Sequence, residues 1–313
     1  MQLIREPLLY NSSPPLKLLS LLLVILISAL FTLIFGLVGG YLFYGSEVMD
    51  YLGNLSSIDG PEIMPMLTYL QIINTLGIFV FPPLLFAFLV SRKPTRYLSM
   101  EQSPAILSII AGVAVIIVIL PFLLWTAGIN EMLNLPEWMA GIENWMKDSE
   151  AQAKKLTDLF LATTTTSGLI INLFMIAVLP AIGEEFLFRG VLLRLFREWF
   201  GNVHLAVIIS AILFSALHLQ FYGFLPRFIL GIFLGYVFVW TRSIWIPVII
   251  HFFNNGSAVV AAWLYSKGMT TTDAESLGHY DQPFMIISSL LMVLVLVFLI
   301  RFYETKKKGS TIE

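Results

Sequence analysis

The sequence predicts an all-α protein, a polytopic membrane helix bundle with about eight transmembrane helices. Hydrophobic residues make up 58% of the 313-residue chain, only 12% of the residues are charged, and the mean hydropathy is +0.86. A soluble domain needs more polar surface than this composition supplies. The apolar residues also gather in stretches of about 20 residues or more, the length that a helix needs to cross the hydrocarbon core of a bilayer.

Eight apolar stretches follow one another along the chain, and each is assigned to one helix. The first is far longer than the ~7–15-residue apolar core of a cleavable signal peptide, so we expect it to remain as the first span. Very short connections join the fifth, sixth and seventh stretches, which favours a tight bundle of these three with the fourth. The predicted spans are residues 16–44, 66–91, 104–127, 167–188, 204–222, 224–241, 244–265 and 283–302.

Basic residues are divided unevenly between the two sides of these spans. Thirteen of the eighteen lysines and arginines fall on one side. Because Lys and Arg concentrate in cytoplasmic connections, this side is assigned to the cytoplasm, with both termini inside. The cytoplasmic set is Arg5, Lys17, Arg92, Lys93, Arg96, Arg189, Arg194, Arg197, Arg242, Arg301, Lys306, Lys307 and Lys308.

The longest outer connection, residues 128–165, carries its own helical pattern. Trp138, Ile142 and Trp145 recur at helical spacing with charged residues between them, which predicts an amphipathic helix. Two interpretations stay open: a helix lying on the outer membrane interface, or a cap that gates the entry of a substrate. Residues 186–200 mix large apolar side chains with arginines, and we expect them to turn along the inner interface.

Polar and ionisable side chains lie inside three of the apolar stretches. A charge at the bilayer centre costs roughly 2.5–3.5 kcal/mol, so such residues usually face the interior of a bundle and mark function. They are Glu184, Glu185 and Arg189 in the fourth stretch, His218 in the fifth, and His251, Asn254 and Asn255 in the seventh.

Helical spacing divides these residues between roles. His251 and Asn255 project from one face, one turn apart. Glu185 and Arg189 have the same spacing in the order that favours an ion pair, whereas Glu184 points about 100° away. We therefore expect Glu185 to pair with Arg189 and support the structure, and Glu184 to face the bundle interior.

Four of these residues, Glu184, His218, His251 and Asn255, suit hydrolysis of a peptide bond. A carboxyl group shielded from water can act as a general base near neutral pH, and imidazole and amide groups can stabilise a developing oxyanion. The chain contains no cysteine and no His-Glu-x-x-His motif, which argues against common metal sites. One metal alternative stays open, because catalytic zinc accepts two histidines and one glutamate. Its ligands would be Glu184, His218 and His251.

Three motifs occur in order, each within an apolar segment. They resemble those of the CPBP family, the CAAX-protease and bacteriocin-processing intramembrane glutamic endopeptidases, which includes the Ras-converting CAAX endopeptidase. The resemblance covers about residues 166–265. The motifs are Glu184-Glu185-x-x-x-Arg189, Phe214-x-x-x-His218 and His251-x-x-x-Asn255.

The resemblance implies a role for each motif residue. Glu184 activates a water molecule, with His218 beside it. His251 and Asn255 stabilise the oxyanion. Glu185 and Arg189 form a supporting pair. It also implies three segments: residues 1–165 with three spans and the amphipathic connection, a catalytic core at 166–265, and residues 266–313 with the last span and a basic tail.

The expected function is that of an intramembrane endopeptidase in the cell membrane of a prokaryote. We expect a membrane-associated CAAX-like or leader-peptide substrate, no cofactor, and a site in the inner half of the bilayer that opens toward the cytoplasm. The net charge of −2 argues against a nucleic-acid partner. Two alternatives stay open: a catalytically silent scaffold or bacteriocin self-immunity protein, and a carrier with a Glu/His proton relay.

Overall fold

The computed structural model describes residues 6–46, 48, 63–132, 135–270 and 282–309. All the regular secondary structure within these ranges is helical. The main helices are α1 (Pro14–Tyr44), α2 (Met64–Val90), α3 (Ile106–Glu131), α4 (Ala140–Leu161), α5 (Thr166–Phe200), α6 (Val203–Ala216), α7 (Phe221–Thr241), α8 (Trp245–Ser266) and α9 (Pro283–Gly309). Two short helical turns, Pro94–Tyr97 and Glu137–Met139, lie in the connections.

The predicted fold class, an all-α polytopic membrane bundle, is confirmed. Among the described residues, seven helices are long and apolar enough to cross a membrane, namely α1, α2, α3, α5, α7, α8 and α9. The predicted fifth span at residues 204–222 is corrected, because α6 has only 14 residues. At a rise of ~1.5 Å per residue this helix is roughly 21 Å long, shorter than the ~30 Å hydrocarbon core.

Helix α5 is one continuous helix of 35 residues. The prediction that it ends near residue 188 and turns along the interface is therefore wrong. Two wider π-helical segments, Leu173–Val178 and Phe186–Leu192, lie within it. They change the direction of the side chains without ending the helix. Helix α5 ends at Gly201, whose φ of 66° is the left-handed conformation that favours glycine after a helix.

Helix α5 runs through the main hydrophobic core of the protein. Its buried residues pack with side chains from α1, α2, α6, α7 and α8. The contact with α2 is unusually close, because a Cβ atom on Gly183 would lie 2.8 Å from the Cβ atom of Phe79. Glycine at this position therefore lets α2 approach the part of α5 that carries Glu184.

The amphipathic helix predicted for the outer connection is α4. Trp145 of α4 packs against Phe221 with 5.2 Å between ring centroids, while Trp138, just before the helix, is 82% exposed. The buried Asn172 amide of α5 donates to the Phe160 carbonyl near the other end of α4, at 2.5 Å. Helix α4 is therefore fastened at one end to the start of α7 and at the other to α5.

Asn130 joins the end of α3 to the start of α7. Its side-chain amide donates to the Phe221 carbonyl at 2.6 Å, and its Oδ1 atom accepts from the Leu225 backbone N–H at 3.1 Å. The side chain is buried, with 6% exposed. The bond to Leu225 satisfies an N–H group in the first turn of the helix, and the bond to the Phe221 carbonyl adds to the one that this carbonyl accepts from the Phe224 N–H.

Replacing Asn130 by alanine should lower the free energy of unfolding by about 1–3 kcal/mol, because the Leu225 N–H loses its acceptor and the Phe221 carbonyl loses one of its two donors. Thermal or denaturant unfolding in detergent micelles measures the change. Asn144→Ala, at an exposed position of α4, is the matched control and should leave the midpoint nearly unchanged. Equal midpoints for both variants would contradict the role assigned to Asn130.

Candidate active site

The two adjacent glutamates lie in the middle of α5, at the end of the regular segment Leu179–Glu185 between its two π-helical segments. Both side chains are buried, with 8% of Glu184 and none of Glu185 exposed. They face different surroundings, as their helical spacing predicts. Glu185 lies among polar partners, whereas Glu184 faces a cavity.

Glu185 and Arg189 form a fully buried ion pair. Arg189 Nη1 donates to Glu185 Oε1 at 2.8 Å, and Arg189 Nη2 donates to the Gly231 carbonyl of α7 at 3.0 Å. The guanidinium group also lies 4.7 Å from the centroid of the Phe214 ring. Such a charge is tolerated in an apolar bundle only with this kind of pairing.

Glu185 also holds His251, a contact that sequence spacing did not indicate. The distance from His251 Nδ1 to Glu185 Oε1 is 2.9 Å. A carboxylate oxygen accepts hydrogen bonds, so this contact assigns the proton of a neutral His251 to Nδ1. His251 Nε2 is then an acceptor, 3.3 Å from Asn255 Nδ2. Stabilising an oxyanion from Nε2 would require the imidazolium form.

His218 lies beyond the end of α6, not inside a span as predicted. The backbone leaves the helix at Ala216, and Leu219 has a φ of 54°. His218 nevertheless stays close to Phe214, because its Nδ1 atom lies 2.7 Å from the Phe214 carbonyl oxygen. A carbonyl oxygen accepts, so Nδ1 carries the proton of a neutral His218 and Nε2 is free to accept.

The structure brings Glu184, His218 and His251 together around one point. Glu184 Oε2 lies 3.9 Å from Nε2 of each histidine. It is buried and has no hydrogen-bond partner among the residues that the structure describes. A distance of 3.9 Å is too long for a direct hydrogen bond. It is short enough for one water molecule between them to donate to Glu184 Oε2 and to one of the two Nε2 atoms.

The histidines also have the outer contacts that metal-binding histidines commonly show. Each directs Nδ1 to a carboxylate or backbone carbonyl, which leaves Nε2 as the possible ligand. In the part of the chain that the structure describes, however, no group of three His, Cys, Asp or Glu side chains is placed so that it could hold a metal ion.

Asn255 is positioned by a proline on the facing helix. Pro180 has no N–H group, so the Ile176 carbonyl four residues earlier lacks its usual α-helical donor. Asn255 Nδ2 donates to this carbonyl at 3.2 Å. The neighbouring Asn254 donates from Nδ2 to Asn255 Oδ1 at 3.1 Å. Pro180 was the sequence signal for the first contact, and nothing indicated the second.

A cavity of about 340 Å³ gives access to these groups. Glu184, His218 and Asn255 line it together with Thr157 and Phe160 of α4. Helix α4 thus covers the site, a placement that suits the cap interpretation. The same placement conflicts with the expectation that the site opens toward the cytoplasm. If the N-terminus is cytoplasmic, the three crossings by α1, α2 and α3 put α4 and the cavity on the outer side.

Comparison with known proteins identifies the segment that carries this site. Residues 166–257 match the family model described as type II CAAX prenyl endopeptidase Rce1-like. This segment belongs to the CAAX protease family. The membrane-embedded CAAX protease MroQ of Staphylococcus aureus (strain USA300) is 32% identical over 121 residues, an alignment that covers 36% of this chain. The chain spans about half of that relative, 49% of its length. No solved structure matches this chain.

Replacing Glu185 by alanine should lower the free energy of unfolding by about 3–5 kcal/mol, because Arg189 would remain buried without a carboxylate. The double change Glu185→Gln with Arg189→Met removes both charges and should destabilise less than Glu185→Ala alone. Unfolding in detergent compares the two. A double variant less stable than the single one would show that the ion pair is not what holds this region together.

Proposed function

We propose that this protein is an intramembrane endopeptidase in which Glu184 activates a water molecule. The observation that carries the proposal is the position of Glu184 Oε2, buried without a partner and 3.9 Å from Nε2 of both His218 and His251. A carboxylate in this position can take a proton from a water held between the three groups. The family match of residues 166–257 supports a peptide bond as the target.

The reaction follows from the atoms that face the cavity. Glu184 takes a proton from water while the water oxygen attacks the scissile carbonyl carbon. The electron pair of the C=O bond moves to the oxygen. The Asn255 amide would donate to that oxygen in place of its 3.3 Å contact with His251 Nε2. Glu184 then passes its proton to the amide nitrogen as the C–N bond breaks. The products are an amine and a carboxylic acid.

The proposed substrate is a membrane-associated peptide or protein with a CAAX-like or leader-peptide sequence. The apolar exterior of the bundle supports a substrate already held in the bilayer, because the long helices expose many leucine and phenylalanine side chains. The bacterial relative supports the cell membrane of a prokaryote as the location. A substrate would reach Glu184 past α4, whose residues Thr157 and Phe160 line the cavity.

A metal-assisted mechanism is the second candidate. The observation that favours it is the pair of histidines whose Nδ1 atoms are both engaged, with both Nε2 atoms directed toward Glu184. In the part of the chain that the structure describes these side chains are not placed to hold a metal ion, so Glu184, His218 and His251 would have to move before they could ligate zinc, which would supply Lewis-acid activation of the water. Removing metal from the purified protein distinguishes the two mechanisms.

Replacing Glu184 by glutamine should abolish peptide cleavage, because the amide keeps the shape of the side chain and cannot take a proton. The measurement is cleavage of a quenched-fluorescent peptide by purified protein in liposomes, together with the melting temperature, which should change little. Wild-type cleavage by this variant would rule out the mechanism.

Two further measurements distinguish this mechanism from a metal site, a carrier and a scaffold or immunity protein. Cleavage that is lost with a strong chelator and regained with zinc would assign Glu184 to a metal site instead. Proton-coupled uptake in liposomes, without cleavage, would indicate a carrier. Absence of both activities from the folded wild type, across CAAX-like and leader peptides, would favour a scaffold or immunity protein.

Replacing Asn255 by alanine should lower kcat by about 10²–10³ with little change in KM, because its amide bonds most strongly as charge develops on the oxyanion. Asn254 acts on it through one neutral hydrogen bond. Asn254→Ala should therefore lower kcat by only about tenfold or less. Steady-state kinetics of both variants on one peptide test the ranking. A larger loss for Asn254→Ala would mean that the wrong amide has been assigned to the oxyanion.

A further inference from the structure

A second cavity, of about 410 Å³, lies away from the candidate active site. Its walls are the connection between α2 and α3, the last turns of α5, and the end of α7. Two arginines of α5, Arg194 and Arg197, face this cavity. Arg194 lies ten residues beyond Glu184, roughly 15 Å along the same helix. No residue lines both cavities. We call it the basic pocket, after its four arginines Arg96, Arg194, Arg197 and Arg242.

The charge of the basic pocket is not balanced by its surroundings. One acidic residue, Glu101, lines it beside the four arginines, and the Glu101 carboxylate accepts a hydrogen bond from Thr95 Oγ1 at 2.7 Å. Among the described residues, none of the four arginines forms an ion pair. Four guanidinium groups around one cavity without carboxylate partners repel one another, and a bound anion would relieve that repulsion.

Arg194 is held in place at the wall of the pocket. Its guanidinium group lies 5.5 Å from the Tyr97 ring centroid and 5.6 Å from that of Phe238, and Nη2 donates to Ser99 Oγ. Its Nε atom is buried and has no hydrogen-bond partner in the described part of the chain. A buried donor without an acceptor is costly, and a bound anion that reached it would remove this cost.

The backbone around the pocket is also held in one conformation. Ser99 and Arg242 both adopt positive φ angles, 58° and 56°, which are uncommon for residues other than glycine. The connection that contains Ser99 is bonded to the start of α8: Ser243 Oγ donates to the Gln102 carbonyl at 2.9 Å, and Trp245 Nε1 to the Met100 carbonyl at 2.9 Å. Strained residues persist where neighbouring contacts hold them, and they often line binding sites.

We propose that the basic pocket binds a phosphate-bearing anion, with the headgroup of an anionic phospholipid as its source. Arginine presents a planar fork of donors that matches the oxygens of a phosphate group. Trp199 and Phe200 follow Arg197 on α5 and are 43% and 40% exposed. Aromatic residues of this kind lie at headgroup depth in membrane proteins, so the pocket opens where phospholipid headgroups are found. This site is separate from the one assigned to proteolysis and does not depend on it.

The test measures lipid binding to the full-length protein purified in neutral detergent. Native mass spectrometry during titration with short-chain phosphatidylglycerol or phosphatidylcholine gives the two affinities. The wild type should prefer phosphatidylglycerol by about tenfold or more. Arg96→Gln with Arg197→Gln, two exposed positions, should remove that preference. Arg301→Gln with Lys306→Gln removes two exposed charges outside the pocket and should leave it intact.

Three outcomes are informative. Loss of the preference in both double variants, or in neither, would overturn the proposal, because the effect would then not arise from the pocket. Binding of inorganic phosphate that blocks the pocket without any lipid preference would assign the same site to a soluble anion. Equal melting temperatures of the wild type and both double variants establish that each is folded. Arg194→Gln, tested as a single change, should also weaken the binding of phosphatidylglycerol.

Discussion

A charge that cannot reach water determines how the candidate active site is arranged. Arg189 is 1% exposed within an apolar core and must find acceptors inside the protein. Its guanidinium group donates one hydrogen bond to Glu185 and one to the Gly231 carbonyl, and the second bond joins α5 to α7. Glu185, in turn, holds Nδ1 of His251 on α8. This chain of contacts joins three helices and fixes which nitrogen of His251 faces Glu184.

The shape of α5 depends on its departures from ideal helix geometry. Pro180 leaves the Ile176 carbonyl without its usual donor, and the Asn255 side chain of α8 supplies one. Gly183, one residue before Glu184, lets Phe79 of α2 come close. The two π-helical segments surround the same stretch. Features that would weaken an isolated helix are thus compensated by neighbours, and they are concentrated where the candidate site lies.

Helix α5 carries two different polar sites along its length. Near its middle, Glu184 faces a cavity that α4 covers. Near its end, Arg194 and Arg197 line the basic pocket. The distribution of Lys and Arg assigns the basic pocket to the cytoplasmic side, and with that orientation the cavity lies toward the outer side. The cytoplasmic opening expected from the sequence would require the opposite orientation, since α4 and the basic arginines lie at different ends of the bundle.

The sequence by itself determined the fold class, the amphipathic helix α4 and the family of residues 166–257. These depend on local properties: the length of apolar stretches, helical spacing, and polar residues where lipid makes them costly. The pairing of Glu185 with Arg189 also followed, because both residues lie on one helix. Only the tertiary structure decided what lies between helices. The contact of Glu185 with His251, the position of His218 beyond α6, and the cover that α4 forms over the cavity all join residues far apart in the chain, whose packing no local spacing encodes.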